Sequence, residues 1–106
     1  MPKYLIEASY TREGVAGVLS QGGTNRREAA AKAVASMGGE LEGLYFAFGE
    51  RDIIVIADLP DNQAAAAVAM TVNASGGLVM KTTPLLTPED VDEATQRTVE
   101  YRPPGG

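Results

Sequence analysis

The chain has 106 residues, of which 44% are hydrophobic and 22% charged, a composition typical of one globular domain, here residues 1–106. Its net charge of −5 excludes nucleic acid as an expected partner, because phosphate binding needs clustered Lys and Arg. Cysteine and histidine are both absent, which excludes disulfides, imidazole bases and the usual zinc and haem ligands, so no metal or other cofactor is expected.

The beginning of the chain indicates a cytoplasmic protein. Lys3 to Tyr10 alternates as a strand, without the apolar region of a secretory signal before it. No apolar run approaches the roughly 20 residues of a membrane span, so no membrane partner is expected. Thr11 can then cap a helix with the apolar stripe Val15, Val18 and Leu19, which Gly22-Gly23 ends.

A second helix is predicted from Asn25, which can act as its cap while Glu28 reaches back. Gly38-Gly39 ends this helix. Its apolar stripe follows helical spacing: Ala30, Ala33, Val34 and Met37.

The segment from Glu40 to Leu59 predicts two strands, 40–48 and 52–59, joined by the turn Gly49-Glu-Arg-Asp52. The second of these strands, Ile53 to Ala57, is apolar at every position, so neither of its faces suits water. Along the first strand, alternation gives two sets of side chains on opposite faces. One set is Glu42, Leu44, Phe46 and Phe48, and the other is Leu41, Gly43, Tyr45 and Ala47.

The rest of the chain predicts a third helix, a fourth strand and an added helix. Asp61 can cap an alanine-rich helix that Gly76-Gly77 ends, and Leu78 to Thr83 follows as a strand. Thr87 can cap the last helix, with Pro88 in its first turn. This order predicts an α+β fold: a ferredoxin-like βαββαβ sandwich with an antiparallel sheet, helices on a single side of it, and a C-terminal helix.

Self-association follows from this arrangement. The sheet face without helices would carry one of the two sets of side chains from the predicted strand 40–48, together with half of Ile53 to Leu59. Either set is largely apolar. Such a patch favours an oligomer. We therefore expect a homodimer or larger homo-oligomer that forms through the sheet face.

Two basic segments are candidate anion sites. In Gly22-Gly-Thr-Asn-Arg-Arg27, backbone N–H groups and the two arginines Arg26 and Arg27 can hold a phosphate or carboxylate, although a helix stop and cap explain the same residues. Lys81 would hold an anionic substrate, or act as a base or amine nucleophile, if its side chain faces a site. Facing solvent, it would be a charge that opposes edge-strand aggregation.

Other polar residues are candidates for a small polar ligand. Tyr45 and Asp52 flank the predicted turn and can position such a ligand together, or Asp52 can accept hydrogen bonds from turn amides. Asn73 lies in the apolar helix, where it either caps the helix end or faces a cavity. Glu40 and Glu42 share a strand face at a spacing that suits a hard metal, but solvated edge charges are the simpler interpretation.

The chain resembles the GYD-domain family, small proteins of the dimeric α/β-barrel type. The residues that carry this likeness are Tyr10-Thr11, Gly14, Gly22-Gly-Thr24, Arg26-Arg27, Tyr45-Phe46, Phe48-Gly49, Asp52, Asp58-Leu-Pro60, Asn73 and Lys81-Thr-Thr-Pro-Leu-Leu-Thr-Pro88. The resemblance implies the fold and self-association, and it implies no particular reaction. It also implies an aromatic residue just before Asp52, where this chain has Arg51.

Three functions remain open from the sequence. The first is a non-catalytic oligomeric binding or accessory module with a small-molecule pocket between sheet and helices. The second is a small cofactor-independent enzyme, an isomerase or an oxygenase-like protein, whose acid–base work would fall to Lys81, Tyr45, Asp52 or an arginine. The third is an assembly protein without a ligand. Burial of Lys81 or Tyr45 would favour the enzyme.

Overall fold

The structure is a computed structural model that describes residues 1–47 and 49–106. Phe48, which the sequence pattern places on the second strand, lies outside the described residues. The elements in chain order are β1 (Lys3–Tyr10), α1 (Arg12–Gln21), α2 (Gly23–Ser36), β2 (Glu40–Phe46), β3 (Ile53–Asp58), α3 (Asn62–Ala74), β4 (Leu78–Leu85) and α4 (Pro88–Thr95).

The four strands form one antiparallel sheet in the order β2-β3-β1-β4. The two strands of highest apolar content, β1 and β3, are therefore central, and β2 and β4 are the edges. This is the predicted ferredoxin-like α+β arrangement, with α4 as the predicted addition at the C-terminus. Pro84 lies on the edge strand β4. Proline has no backbone N–H, and an edge strand tolerates this because one of its sides has no neighbouring strand to bond.

The core lies between the sheet and helices α2 and α3. Alternate residues of β1 and β3 point into it and are buried, as the period-two pattern predicts. Val34 of α2 and Ala65 and Val68 of α3 are buried against them. The hydroxyl of Tyr4 donates to Oδ1 of Asn62 at 2.7 Å, which joins β1 to the start of α3.

Three of the four helix starts were predicted correctly. Thr11, Asp61 and Thr87 each accept a hydrogen bond from a backbone N–H of the first turn, and Thr87 and Asp90 form a capping box. The prediction for α2 was wrong, because the helix begins at Gly23 and Asn25 lies inside its first turn. Gly22, with φ of 84°, is both the end of α1 and the cap of α2, so one left-handed glycine suffices to turn the chain.

Helix α1 does not bury its apolar stripe. No residue of α1 is buried, and Leu19 is 83% exposed. The stripe was predicted because Val15, Val18 and Leu19 share a helix face. In a single subunit no part of the sheet lies beneath that face, because α2 and α3 cover the helix side of the sheet.

A β-bulge in β2 overturns the predicted alternation of that strand. The pairing with β3 shifts between Leu41 and Gly43, so Glu42 is an extra residue. Leu41 and Leu44 consequently both lie opposite buried residues of β3, and Gly43 and Tyr45 lie opposite Ile56 and Ile54 on the other face. Neither of the two predicted sets of β2 side chains shares one face.

The sheet face away from the helices, called the open face below, has an apolar centre. Leu5 of β1 and Ile54 and Ile56 of β3 lie there and are partly exposed. At one end of this face Lys3 donates hydrogen bonds to the carboxylates of Glu42 and Asp58. These two bonds raise the pKa of Lys3 above its ordinary value, the bond to Glu42 most.

Residues 86–106, called the C-terminal arm below, are exposed without exception and include α4. The radius of gyration is 16.9 Å, whereas a compact chain of this length has about 13 Å. The arm thus extends the molecule, whose longest dimension is 57 Å. Within the described residues, no helix combines the length and the apolar content that crossing a bilayer requires.

Two glycines of α1 provide a matched test of the close contact between α1 and Gly77. A methyl group on Gly14 would overlap the carbonyl oxygen of Gly77, whereas one on Gly17 would meet open space. We expect Gly14→Ala to lower the free energy of unfolding by about 1–3 kcal/mol through overpacking. Gly17→Ala should raise it by about 0.5–1 kcal/mol through helix propensity. Urea denaturation measures both, and equal effects of the two changes would contradict the contact.

Candidate functional site

A cavity of about 200 Å³ lies between the sheet and helices α2 and α3. Its floor consists of the helix-facing side chains of all four strands, and its roof consists of the two helices. The lining residues are Ile6, Ala8, Tyr10, Leu44, Ile53, Val55, Leu78 and Met80 from the sheet, and Arg26, Ala29, Ala30, Ala33, Val34, Val68 and Val72 from the helices.

The cavity exists because the helix surface above the sheet is made of small side chains. Ala29, Ala30 and Ala33 present only methyl groups to the space below α2. The space is partly open, so a small molecule can enter it.

Tyr10 supplies the buried polar atom of the cavity. It is the last residue of β1, and its hydroxyl oxygen is buried with no hydrogen-bond partner among the described residues. Its ring stacks on Phe46 at a centroid distance of 6.5 Å and an angle of 15°. A buried hydroxyl without a partner costs about 1–3 kcal/mol, so this atom favours a bound acceptor or donor.

Arg26 is the one charged residue of the described cavity lining. It lies in the first turns of α2 and is half-buried. Within the described part of the chain Arg26 forms no ion pair. Gly23 lies at the same end of α2, with the ring of Phe46 against it where a side chain would otherwise stand. Tyr10 and Arg26 therefore both line one cavity, Tyr10 from the sheet and Arg26 from α2.

Asp52 and Asn73 have structural contacts. Oδ2 of Asp52 accepts a hydrogen bond from the backbone N–H of Tyr10 at 2.8 Å. This fixes the end of β1 that carries Tyr10, so Asp52 supports the cavity from outside it. Oδ1 of Asn73 accepts from the backbone N–H of Met80 at 2.8 Å, which joins the end of α3 to the edge strand β4.

Tyr45 and Lys81 lie on the open face, away from the cavity. Tyr45 is opposite Ile54, Ile54 is opposite Glu7, and Glu7 is opposite Lys81, so the four form one row across the sheet. The ends of a row of four strands are about 14 Å apart at 4.7–4.9 Å per strand. Both side chains are exposed, Tyr45 by 67%. One subunit does not bring them together.

The remaining candidate residues stay outside the cavity as well. Thr24 is exposed in the first turn of α2, and Arg51 is half-buried in the loop before β3. Glu42 pairs with Lys3 and does not face a metal site with Glu40. Within residues 1–47 and 49–106, no three carboxylates come close enough to bind a metal ion.

Sequence reasoning singled out Arg26 and missed Tyr10 as a site residue. Tyr10 was assigned only to the alternating face of β1, since a strand pattern does not reveal whether a phenol finds a partner. Thr82 was missed for the same reason. Its hydroxyl is also buried and unpartnered among the described residues, beside the cavity-lining Ile6 across the sheet.

A larger groove, of about 1060 Å³, runs between the N-terminal residues, the start of α3 and α4. It is wide because α4 stands away from the sheet, and exposed residues such as Met1 and Arg97 border it. The smaller cavity is the better ligand site, because its walls are mostly apolar side chains of the core and two polar residues, Tyr10 and Arg26, line it.

A protein-family model matches most of the chain. Residues 4–95 match the family model described as the GYD domain, a range that covers α1 to α4 and the sheet apart from Lys3. No curated protein matches the chain.

The contact between Asp52 and Tyr10 is testable by substitution. We expect Asp52→Ala to lower the free energy of unfolding by about 1–3 kcal/mol, because the N–H of Tyr10 loses a charged acceptor. Asp52→Asn keeps an oxygen acceptor and should cost less. The control is Glu50→Ala in the same loop, an exposed position where a change within about 0.5 kcal/mol is expected. Chemical denaturation measures these changes. Equal losses of unfolding free energy for Asp52→Ala and Glu50→Ala would refute the stabilising contact between Asp52 and Tyr10.

Proposed function

The chain belongs to the GYD domain family, and we propose that it is a homo-oligomeric module that binds a small, largely apolar molecule between its sheet and its helices. The observation that carries this proposal is the cavity of about 200 Å³ with the buried, unpartnered hydroxyl of Tyr10. Convergent polar groups in an apolar pocket are the usual form of a small-molecule site.

Binding is favoured over catalysis by the chemistry of the lining. Among the described lining residues there is no carboxylate, amine or imidazole. A general base has to lie within hydrogen-bond reach of the proton that it removes. Lys81 and Tyr45, two of the residues that an enzyme would use, lie on the opposite face of the sheet, and Asp52 holds the N–H of Tyr10 from outside the cavity. The phenol and the guanidinium of the cavity suit recognition of a ligand.

Self-association is supported by the open face. Leu5, Ile54 and Ile56 form its apolar centre, and no element of the same described subunit covers them. Contiguous apolar surface of this kind on a small soluble domain usually marks an interaction site. A second copy, whose open face carries the same residues, offers a matching surface with two-fold symmetry.

The C-terminal arm supports the same proposal independently. Helix α4 has eight residues and no buried residue. Isolated helices of fewer than about 12–15 residues are marginal in water, because nucleation is unfavourable and packing supplies most helical stability. Val91 and Leu86 of the arm are exposed apolar residues. A second subunit that packs against the arm would supply the missing contacts.

The cavity itself is tested by filling it. Ala30 of α2 lines it, and Ala30→Leu places three further carbon atoms there. With toluene as the probe, we expect the wild-type protein to bind and Ala30→Leu to bind at least tenfold more weakly, measured by NMR titration.

The matched control for this experiment is Ala35→Leu. Ala35 lies on the same helix, is exposed and borders a different depression. It should bind toluene as the wild type does. Unchanged binding in Ala30→Leu, or no binding of toluene by the wild type, would overturn the proposed pocket.

The open face is tested by a charge at its centre. We expect the wild-type chain to sediment as a dimer or larger oligomer and Ile54→Lys to sediment as a folded monomer, because association would remove the charge of that lysine from water. Met70→Lys, at a position of α3 that is 66% exposed, is the control and should leave the mass unchanged. A wild-type protein that stays folded at the mass of one subunit in dilute solution would refute the oligomer.

A further inference from the structure

The residues that line the cavity indicate a narrower class of ligand than its volume does. Apart from Tyr10 and Arg26, every described residue of its lining is aliphatic or methionine. Both exceptions are hydrogen-bond donors, and one of them is a permanent cation. The chain as a whole carries a net charge of −5, yet the only charge among the described cavity residues is positive.

Donors without partners predict the charge of the ligand. Arg26 lacks a carboxylate among the described residues, and the hydroxyl of Tyr10 lacks an acceptor among them. A neutral hydrocarbon would leave both donors unsatisfied in a partly dry space. A carboxylate satisfies both, because its two oxygens accept from a guanidinium in a fork geometry and can accept from a phenol as well.

The volume limits the rest of the ligand. An engineered cavity of about 150 Å³ holds one benzene molecule. A space of about 200 Å³ therefore suits one six-membered ring with a short substituent. The aliphatic walls require that this body is hydrocarbon.

We propose that the cavity binds small monocarboxylic acids whose hydrocarbon part is the size of a single ring, with the carboxylate held by Arg26 and by the hydroxyl of Tyr10. This inference rests on the proposed function, since it names the ligand class of the same cavity. A phosphate ester is disfavoured, since two such donors satisfy few of its oxygens. A cation is excluded by Arg26.

The experiment compares phenylacetate with phenylacetamide and toluene on the full-length wild-type protein, by NMR titration at neutral pH and fixed salt. The amide has nearly the shape of the acid without its charge. We expect phenylacetate to bind at least tenfold more tightly than phenylacetamide. The largest shift changes should fall on the amides of Tyr10, Arg26 and Ala30. This comparison needs no variant, so it does not depend on the folding of a mutant.

Two neighbouring arginines provide the matched variants. Arg26→Gln should weaken the binding of phenylacetate at least tenfold and change the affinity for toluene less than twofold. Arg27→Gln removes the same charge from the next residue of α2, which borders a different depression, and should leave both affinities unchanged. Tyr10→Phe should weaken phenylacetate several-fold and leave toluene bound. Arg26→Lys keeps the positive charge and loses the two-pronged guanidinium. Its affinity for phenylacetate should lie between those of the wild type and Arg26→Gln.

The outcomes separate this inference from the proposed function. Binding of toluene with no preference for the acid over the amide would overturn the ligand class and leave the apolar pocket intact. Equal losses for Arg26→Gln and Arg27→Gln would show a non-specific attraction of anions and would also overturn it. If the wild type bound none of the three probes, both the ligand class and the pocket would be refuted.

Discussion

The structure depends on a strand that is apolar on both faces. Ile53 and Val55 of β3 are buried against the helices, while Ile54 and Ile56 between them emerge on the open face. A single layer of helices can cover only one side of a sheet. Helices α2 and α3 form that layer, and β3 lies in the middle of the sheet beside β1. The open face is therefore a direct consequence of the sequence of β3, and so is the expected contact with a second subunit.

The helix layer explains the cavity in the same terms. Alanine favours the helix and adds little volume, so α2 and α3 form readily from sequences that cannot fill the space above the sheet. Large side chains on α2 would have produced a solid core. In their place, Ala30 and Ala33 face a floor of branched residues, and the space between remains. Arg26 stands where this alanine run begins, and it brings a charge to a position that α2 otherwise keeps apolar.

Much of the fold was predictable because it depends on local patterns. Period-two alternation identified β1, a continuous apolar run identified β3, and the caps Thr11, Asp61 and Thr87 marked three helix starts. The bulge at Glu42 was not predictable, because one extra residue in a strand leaves the composition unchanged and appears only in the pairing with β3. The site was predictable only in part. An arginine after a glycine turn is visible in a sequence, whereas the missing partner of the Tyr10 hydroxyl depends on every neighbour of that atom in three dimensions.

The two proposed contacts, one with a ligand and one with a second subunit, share strand β3, and we expect them to be coupled. Successive residues of β3 face alternately into the cavity and onto the open face, so a shift of the strand that repacks one face moves the other. Asp52 extends this coupling, since it immediately precedes β3 and holds the N–H of Tyr10. A subunit contact that fixes Ile54 and Ile56 would therefore also fix the position of Tyr10 through Asp52. Because a prepositioned hydroxyl loses less entropy when a ligand binds, association should strengthen binding, and by linkage a ligand should strengthen association to the same degree.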